Sequence, residues 1–274
     1  MTVQHLQHKV VKDLYWILFS EAPLKESYSL SSYALLPRSI IEQWKEESID
    51  YFIKLDKNPA SLAHFVNRKK NNRLGFYAEA LLSYFFQTFS GIELLLQNYQ
   101  VIEDKKTKGE IDFIIRYQGK VIHLECAVKF YLLKDNEHSS IPSSWVGPKI
   151  KDNLQLKLTK TIDHQLPLGK SGAISKKIGH SIDYSTFFLR GYLFADEVTS
   201  NSFINPEQLC EMIREGQLKE NSAVPVQLLK KPDWLSSTLP GDKNKTIINV
   251  DSPSLVIFSD QKLRFIVPDN WGES

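Results

Sequence analysis

The sequence predicts an α/β protein built on a mixed sheet, in the order helix, three strands, helix, strand. A helical cap over residues 1–70 precedes this core of residues 71–197, and a small α+β appendage over 198–274 follows it. Three observations carry the prediction. Residues 74–89 place apolar side chains almost all round a helix, the pattern of one buried between layers. Residues 110–117 and 120–131 are β-branched and aromatic runs flanking Gln118-Gly119, a tight hairpin turn. Ile150, Leu154, Leu158, Ile162 and Leu166 recur every four residues, predicting a helix over 149–166.

Composition narrows the class. At 274 residues, with 42% hydrophobic and 24% charged, the chain is long enough for a real core and ordinary for a globular protein. The formal net charge is +2, so any nucleic-acid binding must come from local patches rather than a global basic field. Two isolated cysteines, Cys126 in a strand and Cys210 in an expected helix, make neither a disulfide framework nor a zinc site. The longest compact apolar run near the start, 14–19, is too short to cross a bilayer. With no leader pattern, the expected setting is cytoplasmic, without a membrane partner.

The elements follow in order. Pro23, Pro37 and Pro59 break the first part into short helices anchored by Trp16, Phe19, Tyr33, Trp44 and Phe52. The buried helix 74–89 carries Glu79, a residue type that needs a partner in such a place. A strand over 92–103, a basic turn with Lys105, Lys106 and Lys108, and the hairpin come next. Residues 134–148 form a polar loop too long for a simple connector, with Trp145 placed to stack on a base. After the helix over 149–166 comes a strand over 186–194. The tail holds a helix over 206–216 and strands near 224–230, 246–250, 254–259 and 262–267.

The hairpin gathers the chemistry. Alternation puts Asp112 on the face of Glu110, Ile114 and Arg116, and Glu125 on that of His123, Ala127 and Lys129. The opposite face is nearly all apolar. The second strand is long enough to be central and buried on both sides, where charges need partners or a metal. An acid on one strand with an acid and a lysine on the next can hold a divalent metal beside a phosphodiester. His123 is expected to pack beside Glu125. Lys157, Lys160 and His164 share one stripe of the following helix and are candidate phosphate contacts, while Arg68, Lys69, Lys70 and Arg73 form a second basic cluster before the buried helix, of the kind that most often is solvated surface. Gly169-Lys170-Ser171 ends like a phosphate-binding loop, but His164 replaces the first glycine, and that reading falls.

These pieces together resemble the PD-(D/E)XK nuclease superfamily and, more narrowly, a bacterial family of unknown function placed within it. The matching segments are Leu74–Glu79, Gly109–Asp112, His123–Leu132 and the Gly147-Pro, Asp152–Lys157 and His164–Leu166 stretches. The resemblance implies a restriction-endonuclease-like core over residues 70–195 and hydrolysis of DNA or RNA with Mg²⁺ or Mn²⁺. It implies Asp112 and Glu125 as metal ligands, Glu79 completing the shell and Lys129 orienting the attacking water. The chain departs from the superfamily pattern twice. Ile111 stands in the place of the proline, and Ala127 in the place of the lysine two residues after Glu125. Lys129 lies roughly 6–7 Å farther along the strand, on the same face. The alternative is a catalytically silent protein of this fold that binds nucleic acid or a protein partner.

Overall fold

The structure is a computed structural model that describes residues 2–28, 33–68, 73–103, 105–197, 203–236 and 250–273. Among the described residues the elements are α1 (Lys9–Phe19), β1 (Ala34–Leu35), α2 (Arg38–Glu47), α3 (Ile49–Lys57), α4 (Ala60–Asn67), α5 (Leu74–Thr88), β2 (Glu93–Glu103), β3 (Lys106–Tyr117), β4 (Lys120–Leu133), β5 (Trp145–Val146), α6 (Leu154–Lys160), α7 (Gly172–Ile178), β6 (Tyr184–Ala195), β7 (Leu209–Arg214), β8 (Pro225–Leu228), β9 (Ser254–Phe258) and β10 (Leu263–Val267). The result is a mixed α/β protein. Its strands hydrogen-bond in the order β2-β3-β4-β6-β7-β10-β9-β8, with β1 beside β6 and β5 beside β4.

Contacts divide the chain into two compact units. The first holds residues 1–20, 26–128 and 158–190, and the second holds 21–25, 129–157 and 191–274. Residues 1–20 and 26–68 cluster with the following helix and strands, and 129–157 cluster with the tail.

In the first unit the hairpin forms as its sequence dictates. Gln118 and Gly119 both take positive φ, 46° and 75°, which a two-residue turn between twisted strands requires. The apolar face of β3 packs on α5 and α2: Phe86 meets Phe113 edge-on at 5.1 Å, and Trp44 meets Tyr117 at 5.9 Å. On the other side, Ile114 and Val121 join Ile174 of α7 and Leu168 in a second cluster. Both faces are covered, as a central strand demands. Pro37 and Pro59 each stand one residue before a helix, leading α2 and α4. α1 ends against a buried arginine of β6. Arg190 donates Nε to the Ile17 carbonyl and Nη2 to that of Leu18, satisfying groups the helix itself leaves open.

In the second unit, the expected helix over 206–216 is a single 3₁₀ turn, Pro206–Gln208, followed by strand β7. Asn205 caps that turn by accepting from Glu207 N, so the local helix-start signal is real. Parallel pairing with β6 and β10 then captures Leu209–Arg214, and the ladder outweighs propensity. Cys210 accordingly lies in a strand. Trp145 does not stack outward: it is fully buried, pairs opposite Leu133 and donates Nε1 to Ser139 O. Phe130, Phe194, Trp234 and Phe265 form the aromatic core here. The strand expected near 246–250 lies, apart from Val250, outside the described residues, as do Lys69 and Lys70.

The helix expected over 149–166 begins late and changes pitch. Ile150 takes φ 58°, which holds 147–152 as a loop, and Asn153 then accepts from Leu156 N at the start of α6. α6 gives way to a π-turn over Thr161–Gln165. Leu154, Leu158 and Leu166 are still the buried positions.

Candidate functional site

The β3–β4 ladder is regular from the turn to Phe113, which faces Leu124. One step further Asp112 and Glu125 stand opposite each other, and side chains replace the ladder. Asp112 Oδ2 accepts from Cys126 N at 2.8 Å, while Asp112 N points to Glu125 Oε1 at 3.4 Å. The two acids expected to work together are thus brought together.

Glu125 is fully buried, and its surroundings hold it in place. Its Oε1 lies 2.9 Å from His123 Nε2, and its Oε2 accepts from Gln165 Nε2 at 2.5 Å. Gln165 is the last residue of the π-turn, and Thr161 Oγ1 donates to its side-chain Oε1 at 3.2 Å. An inserted π-turn re-aims side chains relative to an α-helix and recurs at functional sites. Behind His123, Ser185 Oγ lies 3.0 Å from Nδ1. Burial pushes the imidazole down to about 4, against the upward pull of Asp112 and of the Leu166 backbone. His123 is therefore neutral near pH 7 and does not balance the acids' charge. With Glu125 ionised, Nε2 donates to it, and the Ser185 hydroxyl can donate to Nδ1. Gly169 packs so close that a Cβ there would run into Ser185 Oγ and lie 2.7 Å from His123 Nδ1.

The remaining expected residues are placed differently. Glu79 is half-buried on α5 and accepts from Asn98 Nδ2 at 2.5 Å. Asn98 sits in β2 with φ 48°, a left-handed conformation asparagine tolerates. Among the described residues no group of three or more His, Cys, Asp and Glu side chains is arranged to hold a metal ion. Lys129 belongs to the second unit, where its Nζ pairs with Asp152 Oδ2 at 2.6 Å. Lys160 and His164 are exposed in the first unit, and Lys157 falls in the second. The π-turn starts between Lys160 and His164, so the stripe drawn on a continuous α-helix does not extend to His164.

The pair suits a hard divalent cation in kind. It offers carboxylate oxygens with no thiolate and no pair of imidazoles, and Mg²⁺ characteristically takes one or two carboxylates and keeps its waters. Sequence reasoning missed Gln165, Ser185 and Gly169, because their roles depend on a π-turn and a close backbone approach that no local signal announces.

Fold and site define a mixed α/β protein with a clamped acidic pair on adjacent central strands. The chain belongs to the family described as a domain of unknown function (DUF1853), whose pattern matches residues 12–252. No curated protein and no solved structure matches it. Among the described residues no helix is long and apolar enough to cross a membrane.

Proposed function

We propose that this protein is a divalent-metal-dependent phosphodiesterase of the PD-(D/E)XK type, acting on DNA or RNA. Asp112 and Glu125 would hold Mg²⁺ or Mn²⁺. The observation that carries the reading is the meeting of Asp112 and Glu125 where the β3–β4 ladder stops, beside a histidine that is neutral. Adjacent carboxylates in such a place repel unless a cation or a proton intervenes. Bound metal supplies charge neutralisation at the phosphate and a more acidic water. His123 and Gln165 fix the rotamer of Glu125, so that one ligand is preorganised before metal arrives. Asp112 is held by the Cys126 amide. Glu79 would join only by releasing Asn98. Lys160 and His164, exposed in the same unit, are candidate contacts to the nucleic-acid backbone.

A second reading, a silent protein of the same type that binds nucleic acid or a protein partner, is favoured by Ala127 and by the Lys129–Asp152 pair. Cleavage of single-stranded, duplex and branched DNA and of RNA in Mn²⁺, run beside Asp112→Asn, separates the two. Turnover lost in the variant supports the enzyme. Activity equal in both proteins would point to contamination, and binding without turnover in the wild type would favour the silent reading.

A further inference from the structure

The second unit holds a cleft of about 620 Å³ that the proposed hydrolysis does not use. Small-molecule sites run from roughly 300 to 1,000 Å³, so the space suits an organic ligand. Three neighbouring parallel strands frame it, and their register places Ala195 of β6, Glu211 of β7 and Arg264 of β10 in one row. Tyr192, Leu209 and Leu263 give the cleft aromatic and aliphatic walls, while Asp196, Glu211 and Arg264 bring charge to it.

The guanidinium here is already committed. Arg264 donates Nε to Glu211 Oε2 at 2.5 Å and Nη1 and Nη2 to the two oxygens of Asp260 at 2.7 Å, and it lies 4.7 Å over the Phe258 ring. Two carboxylates share this one cation, which leaves it a poor lure for a further anion. Asp196 is in the opposite condition. Its Oδ1 is closed off from bulk water with no hydrogen-bond partner among the described residues. Its Oδ2 lies 3.8 Å from Arg214 Nε, beyond hydrogen-bond reach. Arg214 directs Nη1 instead to the carbonyls of Asp269 at 2.7 Å and Trp271 at 3.3 Å. Burial raises the Asp196 carboxyl above its ordinary value, against the pull of Arg214 and with the push of Glu197. Cys210 also lines the cleft, and burial pushes its thiol up to about 12 against the pull of Arg264, so near neutral pH it is no thiolate nucleophile. The cleft is equipped to bind rather than to react.

A half-buried carboxylate short of donors costs free energy until a donor reaches it, and a donor that is also a cation returns the most. An aromatic wall adds attraction for an ammonium group. We propose that this cleft binds a small organic amine, its ammonium paired with Asp196 and its apolar body lying against Tyr192, Leu209 and Leu263. A bare metal ion fits less well, because among the described residues no three acids, histidines or cysteines gather to hold one. The site stands independently of the phosphodiesterase reading, since it uses neither Asp112 nor Glu125 and lies within the second unit.

Three probes of one shape test this by calorimetry on the full chain in EDTA: phenethylamine, phenethyl alcohol and hydrocinnamate. The amine should bind, and the alcohol and the carboxylate should bind at least about tenfold more weakly, the low end for a charge-assisted hydrogen bond. Asp196→Asn should weaken the amine by about the same factor and leave the alcohol unchanged. Because this substitution removes an under-paired carboxylate, the melting temperature should hold or rise, which excludes misfolding as the cause. Leu209→Trp narrows the cleft with the carboxylate intact and should weaken amine and alcohol alike. N-acetyl-lysine amide presents the same ammonium on a peptide, and should bind less well than phenethylamine. Tighter binding of the lysine probe would hand the cleft to a protein side chain and overturn the proposal. So would the absence of phenethylamine binding, equal binding of the three probes, or binding untouched by Asp196→Asn.

Discussion

Gln165 reaches Glu125 from the end of a π-turn and donates its amide to Oε2, while the imidazole of His123 faces Oε1. The carboxylate is therefore held from two sides by groups that arrive from different elements. Replacing Gln165 by Leu keeps the volume but removes the donor, leaving a buried charged acceptor short of one bond. The expected cost is about 1–3 kcal/mol in urea unfolding. Should the variant unfold at the wild-type midpoint, the bond contributes nothing and the clamp is not structural.

Gly169 tests the other end of the same chain of contacts. A methyl at this position meets Ser185 Oγ first and His123 Nδ1 next. Gly169→Ala should destabilise by about 1–3 kcal/mol through overpacking. Ser185→Ala removes the atom that is struck first, so the double variant should recover part of that loss. Strict additivity of the two changes in a double-mutant cycle would show that the alanine methyl finds room elsewhere.

Much of the architecture was legible because the signals were local. The Gln118-Gly119 turn needs two positive φ values, and the alternation on either side of it puts Phe113 and Ile115 inward and Asp112 opposite Glu125. The clamp around Glu125 was only half legible. His123 lies two residues away on the same strand face, and period-2 reasoning finds it. Gln165 was hidden because a repeat of apolar residues every four positions cannot reveal a switch from α to π pitch after Lys160. The same limit explains His164. The helix expected over 206–216 failed for a different reason: Asn205 and Pro206 start a turn, but β6 and β10 compete for Leu209–Arg214, and pairing between distant segments leaves no mark on a short window. Lys129 pairs with Asp152, a partner that no local pattern announces because it comes from a loop held by Gly147 and by a left-handed Ile150.

Metal binding to the native state alone raises stability by mass action. With free Mn²⁺ at 100 times its dissociation constant, the gain is about 2.7 kcal/mol. Wild type should therefore melt higher in millimolar Mn²⁺ or Mg²⁺ than in EDTA, and Asp112→Asn should lose that increment. An identical melting curve in metal and in chelator would remove the cation from the proposed chemistry, whatever the fold.

Arg190 is buried on β6 with its guanidinium over the Phe188 ring, 4.0 Å from the centroid, and its donors turned to the last carbonyls of α1. Methionine fills similar space but donates nothing. Arg190→Met should cost roughly 3 kcal/mol, since hydrogen bonds from charged donors are worth about 1.5–3 kcal/mol each. Hydrogen exchange should show α1 opening before the hairpin strands. Uniform loss of protection across the first unit would mean that Arg190 supports the whole core rather than the end of one helix.

The turn between β9 and β10 carries a pH-dependent contact. Arg264, nearly buried on β10, bonds both oxygens of Asp260 at 2.7 Å and also reaches Glu211 on β7. The Arg264 guanidinium, helped by the Lys262 amide and opposed by partial burial, holds the Asp260 carboxyl below its ordinary value. A depressed folded-state pKa stabilises only while the group is ionised. The contribution is therefore full above the unfolded pKa, about 3.9, and disappears as pH falls through the lower folded value. Asp260→Asn should be less stable than wild type at pH 7, and the difference should close as the buffer is taken below about pH 4. Paired denaturation curves at pH 7, 4 and 2.5 read this directly, and a gap that stays constant across that range would show that Asp260 acts through hydrogen-bond geometry rather than charge.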